Sequence, residues 1–289
     1  MTLSLLSHLW LHEPDADTVA RAVAELGLPS AHPAELGPAY TEAFLLNVYP
    51  YATAFTDPDG ELNGPEAQNV AARFAEHGYH PPELNSVGAP DHLGLCLGFL
   101  AYVSDTQCLQ DTGCLLLEWA PVCCLAVERE PSAHAFYRAL ARVTRETLLS
   151  RFALCSTHQT YHPLPITDYV EAEVSLRDIV RFFLAPARCG VFLSRSQLGQ
   201  LAKGLGRRLP FGSRFEVTEL LFASAGEAEA VEPLITALES ECDVWGREYW
   251  AWARQYPAWQ PTAETWLGRT ANAARILSGM RQVIETERI

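Results

Sequence analysis

Apolar residues recur three and four positions apart through most of this chain, while alternating apolar and polar runs bounded by hairpin turns are scarce. The pattern predicts an all-α protein. Thr2 to Trp10 reads as a short amphipathic opening. Pro14, Asp15 and Asp17 then start a helix whose stripe is Val19, Ala22, Val23 and Leu26, and Gly27 ends it. Leu36, Tyr40, Phe44 and Leu45 keep helical spacing as far as Pro50. Gly64-Pro65-Glu66 reads as a helix start with proline in the first position, followed by Val70 and Phe74 on one face and a stop at Gly78. Pro90 is expected to open a helix carrying Leu93, Leu97, Leu100 and Val103, and a further apolar segment follows Gly113, broken at Pro121. Ser132 to Ser150 is a strong helix with Phe136, Leu140, Val143 and Thr147 on one face and Arg138, Arg142 and Arg145 beside it.

From Cys155 to Thr167 the run Ser-Thr-His-Gln-Thr-Tyr-His-Pro-Leu-Pro has turn formers and no period, so it reads as a connecting loop. The expected organisation is an N-terminal helical domain over 1–155, a connection or hinge over 156–175 and a C-terminal helical region over 176–289. In that last region Leu176 to Leu184 comes first, then a helix capped by Ser194 and ended by Gly204 and Gly206. Helices from Phe215 to Ser224, Ala228 to Trp252 and Thr262 to Glu287 complete it. With 289 residues, 48% of them hydrophobic, the chain can bury a real core, and no repeat of 20–50 residues suggests a solenoid. Its apolar runs are too short to cross a bilayer, and the first ten residues lack the basic start of a secretory signal, so a cytoplasmic protein is expected.

Charge changes the picture. The net of −14 is concentrated at the start: residues 1–100 hold 13 acids and 2 bases, Arg21 and Arg73. Such an acid pole repels nucleic acid and attracts a cationic partner such as a basic peptide. Lys203 is the sole lysine, and no phosphate-binding glycine motif occurs, so Schiff-base and P-loop chemistries lack their residues elsewhere.

The candidate chemistry is sparse. Eight cysteines sit mostly among Leu, Ala and Val with no C-x-x-C, the pattern of buried core thiols. Asp59-x-Glu61-x-Asn63-Gly64 imitates the front of a calcium loop, but Val70 stands where its bidentate Glu belongs. His158 and His162 have i, i+4 spacing, yet Pro163 and Pro165 argue against the helix that would pair them for zinc. Trp245, Trp250, Trp252, Trp259 and Trp266, with Tyr249 and Tyr256, read as large rings filling a helical interface. Ala89-Pro90-Asp91-His92-Leu93 is the sharpest feature. With Pro90 in the first helical position, Asp91 would complement the helix dipole, or offer a bidentate acceptor to an incoming arginine with His92 as a second polar anchor.

Tyr51-x3-Phe55 with its proline-containing loop, Gly64-Pro-Glu-Ala, and Pro90-Asp91-His92-Leu93 followed by Gly98-Phe99-Leu100-Ala101 together resemble the TorD/DmsD/NarJ family of redox-enzyme maturation chaperones. The resemblance implies a TorD-like helical bundle with an additional C-terminal helical region, and a non-catalytic protein without a cofactor or metal site of its own. It also implies a function: holding the apo catalytic subunit of a molybdoenzyme, and its twin-arginine signal peptide, until the molybdenum cofactor is inserted. Peptide contact is implied near Tyr51, Phe55, Pro90, Asp91 and His92. Monomer and homodimer are both open, and a nucleic-acid partner or stable membrane insertion is not expected. The alternative is a helical metal-binding or hydrolytic enzyme using Asp91, His92 and Cys/His residues. Where this family often has acids around the Pro-Asp-His, the chain has Ala89, Cys96 and Gly98.

Overall fold

A computed structural model describes residues 2–58, 64–152, 175–227 and 230–287, without the side chains of 227 and 284–287. The described residues are helical and contain no strand, only an isolated bridge between Tyr51 and His92. The chain divides into two compact units, Met1–Thr157 and His158–Ile289. The Cys155–Thr167 connection, the His158/His162 pair, most of the expected 156–175 hinge and the Asp59–Asn63 segment lie outside the described residues.

The first unit contains α1 (Thr2–Leu11), α2 (Ala16–Leu26), α3 (Pro33–Tyr40), α4 (Thr53–Thr56), α5 (Pro65–Glu76), α6 (Leu84–Val87), α7 (Leu93–Tyr102), α8 (Thr106–Leu117), α9 (Ala120–Arg129) and α10 (Ala135–Arg151). Local signals set several ends. Asp15 caps α2 by accepting from the Thr18 N–H, and Gly27 closes it in the left-handed conformation. Gly64 caps α5 with Pro65 in the first turn, as its sequence predicts. Tertiary packing overrides the pattern elsewhere. After Tyr40 the helix widens into a π-helical stretch, Thr41–Asn47, fixed by the Asn47 amide donating to the backbone and side-chain oxygens of Glu42.

The core of this unit is built on α1, α7, α9 and α10, with α1 packed on α7 and α9 on α10. Trp10 donates from its indole to Thr144 Oγ1 at 2.9 Å, Tyr40 donates to the Trp10 carbonyl at 3.0 Å, and Tyr137 to the Leu36 carbonyl at 2.9 Å. Tyr40, Phe44 and Tyr137 meet edge-on at 5.1 to 6.0 Å, and Trp10 lies tilted against Phe44 at 4.9 Å, so the polar atoms of Trp10, Tyr40 and Tyr137 have partners while the faces stay apolar. Arg145, expected beside the buried face of α10, is itself buried and forms a two-point pair with Glu128 at 2.9 and 3.1 Å.

The second unit contains α11 (Leu176–Leu184), α12 (Pro186–Cys189), α13 (Arg195–Gly204), α14 (Arg214–Glu227), α15 (Val231–Gln255) and α16 (Gln260–Glu287). Ser194 caps α13 in a reciprocal box with Gln197. The long antiparallel contact of α15 with α16 holds Trp245, Tyr249, Trp252, Trp259 and Trp266, all buried, whereas Trp250 is exposed. Tyr249 is the centre: its ring lies 5.9 to 6.2 Å from those of Trp245, Trp252, Trp259 and Trp266, and its hydroxyl donates to the Gly190 carbonyl at 2.8 Å.

Candidate functional site

The turn before α7 is built differently from its sequence reading. The helix starts at Leu93, two residues after Asp91, and His92 is its N-cap: the Gly94 N–H donates to His92 Nδ1 at 3.1 Å. Pro90 is therefore not in the first helical position, and Asp91 does not sit in the first turn. The cause is a second segment. Leu93 N–H donates to the Pro50 carbonyl at 2.7 Å and Ala52 N–H to the Asp91 carbonyl at 3.1 Å, so chain 50–52 runs antiparallel against 91–93 and fixes where the helix begins.

Asp91 is fully buried. Its Oδ2 accepts from the Thr53 N–H at 2.9 Å and the Thr53 hydroxyl at 2.8 Å, while Oδ1 is buried without a hydrogen-bond partner. Beside it His92 is almost completely buried, and burial lowers its pKa to about 3, so the ring is neutral. Tyr51 packs edge-on to that ring at 4.9 Å and donates to the Val87 carbonyl at 2.7 Å; burial, and then the Asp91 charge, push its hydroxyl up. Phe55 is fully buried and stacks on Trp119 at 6.2 Å. Pro90 is half-buried, and its carbonyl faces the Cys96 thiol at 3.9 Å. The structure thus brings Tyr51, Pro90, Asp91 and His92 into one turn, with Phe55 one helical turn beyond Tyr51.

Next to that turn lies a small, partly enclosed cleft of about 60 Å³, unheralded by any local motif. Ala52, Val70, Phe74, Leu115, Leu116 and Trp119 give it apolar walls, and Glu66, Arg73, Thr112 and Glu118 supply polar groups. Its two long walls are α5 and α8, tied where Arg73 donates to Thr112 Oγ1 at 3.3 Å. Ala52 and Cys96 join it to the Asp91 turn, and Phe55 supports it from behind through Trp119. Val70 and Phe74 were legible as one helix face; Trp119 and the α8 residues were not, because no periodicity shows which helix a face meets.

As chemistry, the Asp91 and His92 side chains engage different partners and do not face one another as acid and base. The cysteines behave mainly as buried thiols: Cys96, Cys108, Cys123, Cys124, Cys189 and Cys242 are free, and burial raises Cys96, Cys123 and Cys124 far out of the reactive range. Cys114 departs from the expectation, being disulfide-bonded. Among the described residues no group of three or more His, Cys, Asp or Glu side chains is placed to hold a metal ion, and no helix is long and apolar enough to cross a membrane.

Residues 13–122 match the family described as nitrate reductase delta subunit, the family of NarJ/TorD-type chaperones. This span contains the Asp91 turn and all the residues lining the cleft. No curated protein and no solved structure matches the chain.

Proposed function

We propose, from the kinship of residues 13–122 with the nitrate reductase delta subunit family of molybdoenzyme maturation chaperones, that this protein is a cytoplasmic, system-specific chaperone. It binds an apo molybdoenzyme catalytic subunit and that subunit's twin-arginine signal peptide until the cofactor is inserted. The observation that carries the reading is the small apolar cleft between α5 and α8, with Glu66 and Glu118 beside Arg73 among its polar groups, inside the region of family kinship. A signal peptide offers the matching chemistry: an apolar stretch for the walls and adjacent arginines for the acids.

Within this proposal the five residues of the Pro-Asp-His region divide their work. Tyr51 and Pro90, both half-buried, offer surface to the peptide. Phe55 sets the position of Trp119, and His92 and Asp91 hold the turn. The buried Asp91 carboxylate also adds negative potential behind the Ala52 wall, where the low local dielectric makes it count for more than a surface charge.

Calorimetric titration with a peptide carrying two consecutive arginines and an apolar stretch, against a two-glutamine control, tests the reading. The arginine peptide is expected to bind at least tenfold more tightly. Glu66→Gln, at an exposed position, should weaken it by about 1.5 kcal/mol with little change in Tm, the lower end of the range for a charge-assisted hydrogen bond. Asp91→Ala should instead lower Tm first, because it strands the Thr53 N–H and hydroxyl at about 1–3 kcal/mol each. Equal affinity for the two peptides would sink the proposal.

A further inference from the structure

The chain carries in its second unit a segment with the chemistry just assigned to the ligand. Residues 179–215 contain seven cations and no acid, in a protein of net charge −14. Within them, Gly206-Arg207-Arg208-Leu209-Pro210-Phe211 holds the only pair of adjacent arginines in the sequence, followed at once by apolar residues.

The structure presents this segment outward. After α13 the backbone reverses at Gly206, φ 71°, leaving Lys203, Arg207, Arg208 and Pro210 exposed. Phe211 is 82% exposed, more than any other large apolar side chain described. One face of its ring is covered by the Arg195 guanidinium at 4.0 Å, which holds the ring upright and leaves the rest bare. The next acid along the chain, Glu216, is turned onto the α14 cap, accepting from the Ser213 N–H and hydroxyl at 2.8 and 2.9 Å, so it does not neutralise the arginines. One short loop thus presents an exposed aromatic ring beside two exposed adjacent arginines.

We propose that the 206–211 segment docks into the α5–α8 cleft of a second copy of this chain and competes there with the client's twin-arginine peptide. The inference rests on the peptide reading of that cleft. Charge complementarity argues for the second copy: the cleft lies in the unit 1–157, which holds 19 acids against 7 bases, Glu66 and Glu118 line it beside the single cation Arg73, and its apolar walls offer a surface to Leu209 and Phe211. Because each copy owns both a segment and a cleft, two copies can satisfy one another symmetrically and close as a dimer. The empty chaperone would then be a self-shielded pair, opened by its client.

Sedimentation velocity of the full chain over a range of concentrations, with and without the two-arginine peptide, tests this. Wild type is expected to self-associate, more weakly as salt rises, and the peptide to dissociate it. Arg207→Gln with Arg208→Gln, at exposed positions, should weaken self-association at least tenfold at unchanged Tm, and Phe211→Ser should do the same. A chain that stays monomeric at every concentration overturns the proposal, and so does a double variant that associates as wild type does. The affinity of the double variant for the two-arginine peptide keeps the two readings apart. Retained peptide binding in a chain that never self-associates removes only the self-docking, whereas absence of peptide binding in both proteins removes the cleft reading beneath it.

Discussion

His92 shows how one side chain can be chemically conspicuous and structurally employed. Its ring is neutral in the fold, with a pKa near 3, and accepts the Gly94 N–H, whereas in the unfolded chain it titrates near the ordinary value of about 6.5. Between those values the unfolded state binds a proton that the folded state refuses, so stability falls as the pH drops below about 6.5. The slope is about 1.4 kcal/mol per pH unit, or roughly 2 kcal/mol at pH 5. His92→Asn keeps an oxygen for the Gly94 N–H and removes the titration. Urea unfolding is therefore expected to show the variant less stable at pH 7.5, through lost packing, with the gap to wild type closing by roughly 2 kcal/mol by pH 5. A gap that stays constant would mean the folded ring titrates normally. The sequence singled out Pro90, Asp91 and His92, yet it placed the helix start too early, because what fixes that start are Pro50 and Ala52, some forty residues away.

Elements were readable where their ends are set locally. The Ser194 cap, Pro65 after Gly64 and the stop at Gly27 involve neighbours in sequence, and each was visible there. The π-helical Thr41–Asn47 was not, since its apolar spacing continues that of α3 and the widening depends on packing around Phe44. The cleft was invisible for the same reason: α5 shows a face in Val70 and Phe74, and nothing in its sequence shows the partner it meets. Gly190 is a further case of a long-range requirement. Its φ is 74°, a Cβ there would lie 2.7 Å from the Thr270 backbone nitrogen on α16, and its carbonyl receives the Tyr249 hydroxyl. Gly190→Ala combines left-handed strain with overpacking against backbone that cannot yield, and should cost about 2–4 kcal/mol. Gly199→Ala, inside α13 with open space around it, should instead stabilise by up to about 1 kcal/mol. Denaturant midpoints followed by the tryptophan fluorescence of α15 and α16 would compare the pair; similar shifts in both would contradict the geometry.

The uneven charge along the chain was legible from composition alone, and it acts at a range that contacts do not. Thirteen acids in the first hundred residues, many exposed at the ends of α2 and α3, create a negative field. In the proposed function that field would draw the cationic peptide inward before any hydrogen bond forms, and the cleft would supply the contacts that keep it. Steering and holding separate kinetically, because a diffuse field raises the association rate and is screened over about 8 Å at physiological ionic strength, while short-range contacts govern dissociation. Stopped-flow association of the two-arginine peptide should therefore slow about tenfold between 0.02 and 0.3 M salt, with dissociation changing little. The two-glutamine control should associate at a rate that salt barely alters. Apolar substitution in the cleft, such as Val70→Ser, should do the reverse, leaving the salt-dependent association in place and speeding dissociation. An association rate for the arginine peptide that ignores salt would show that the acid pole serves solubility alone, and would leave the cleft walls as the whole of the recognition.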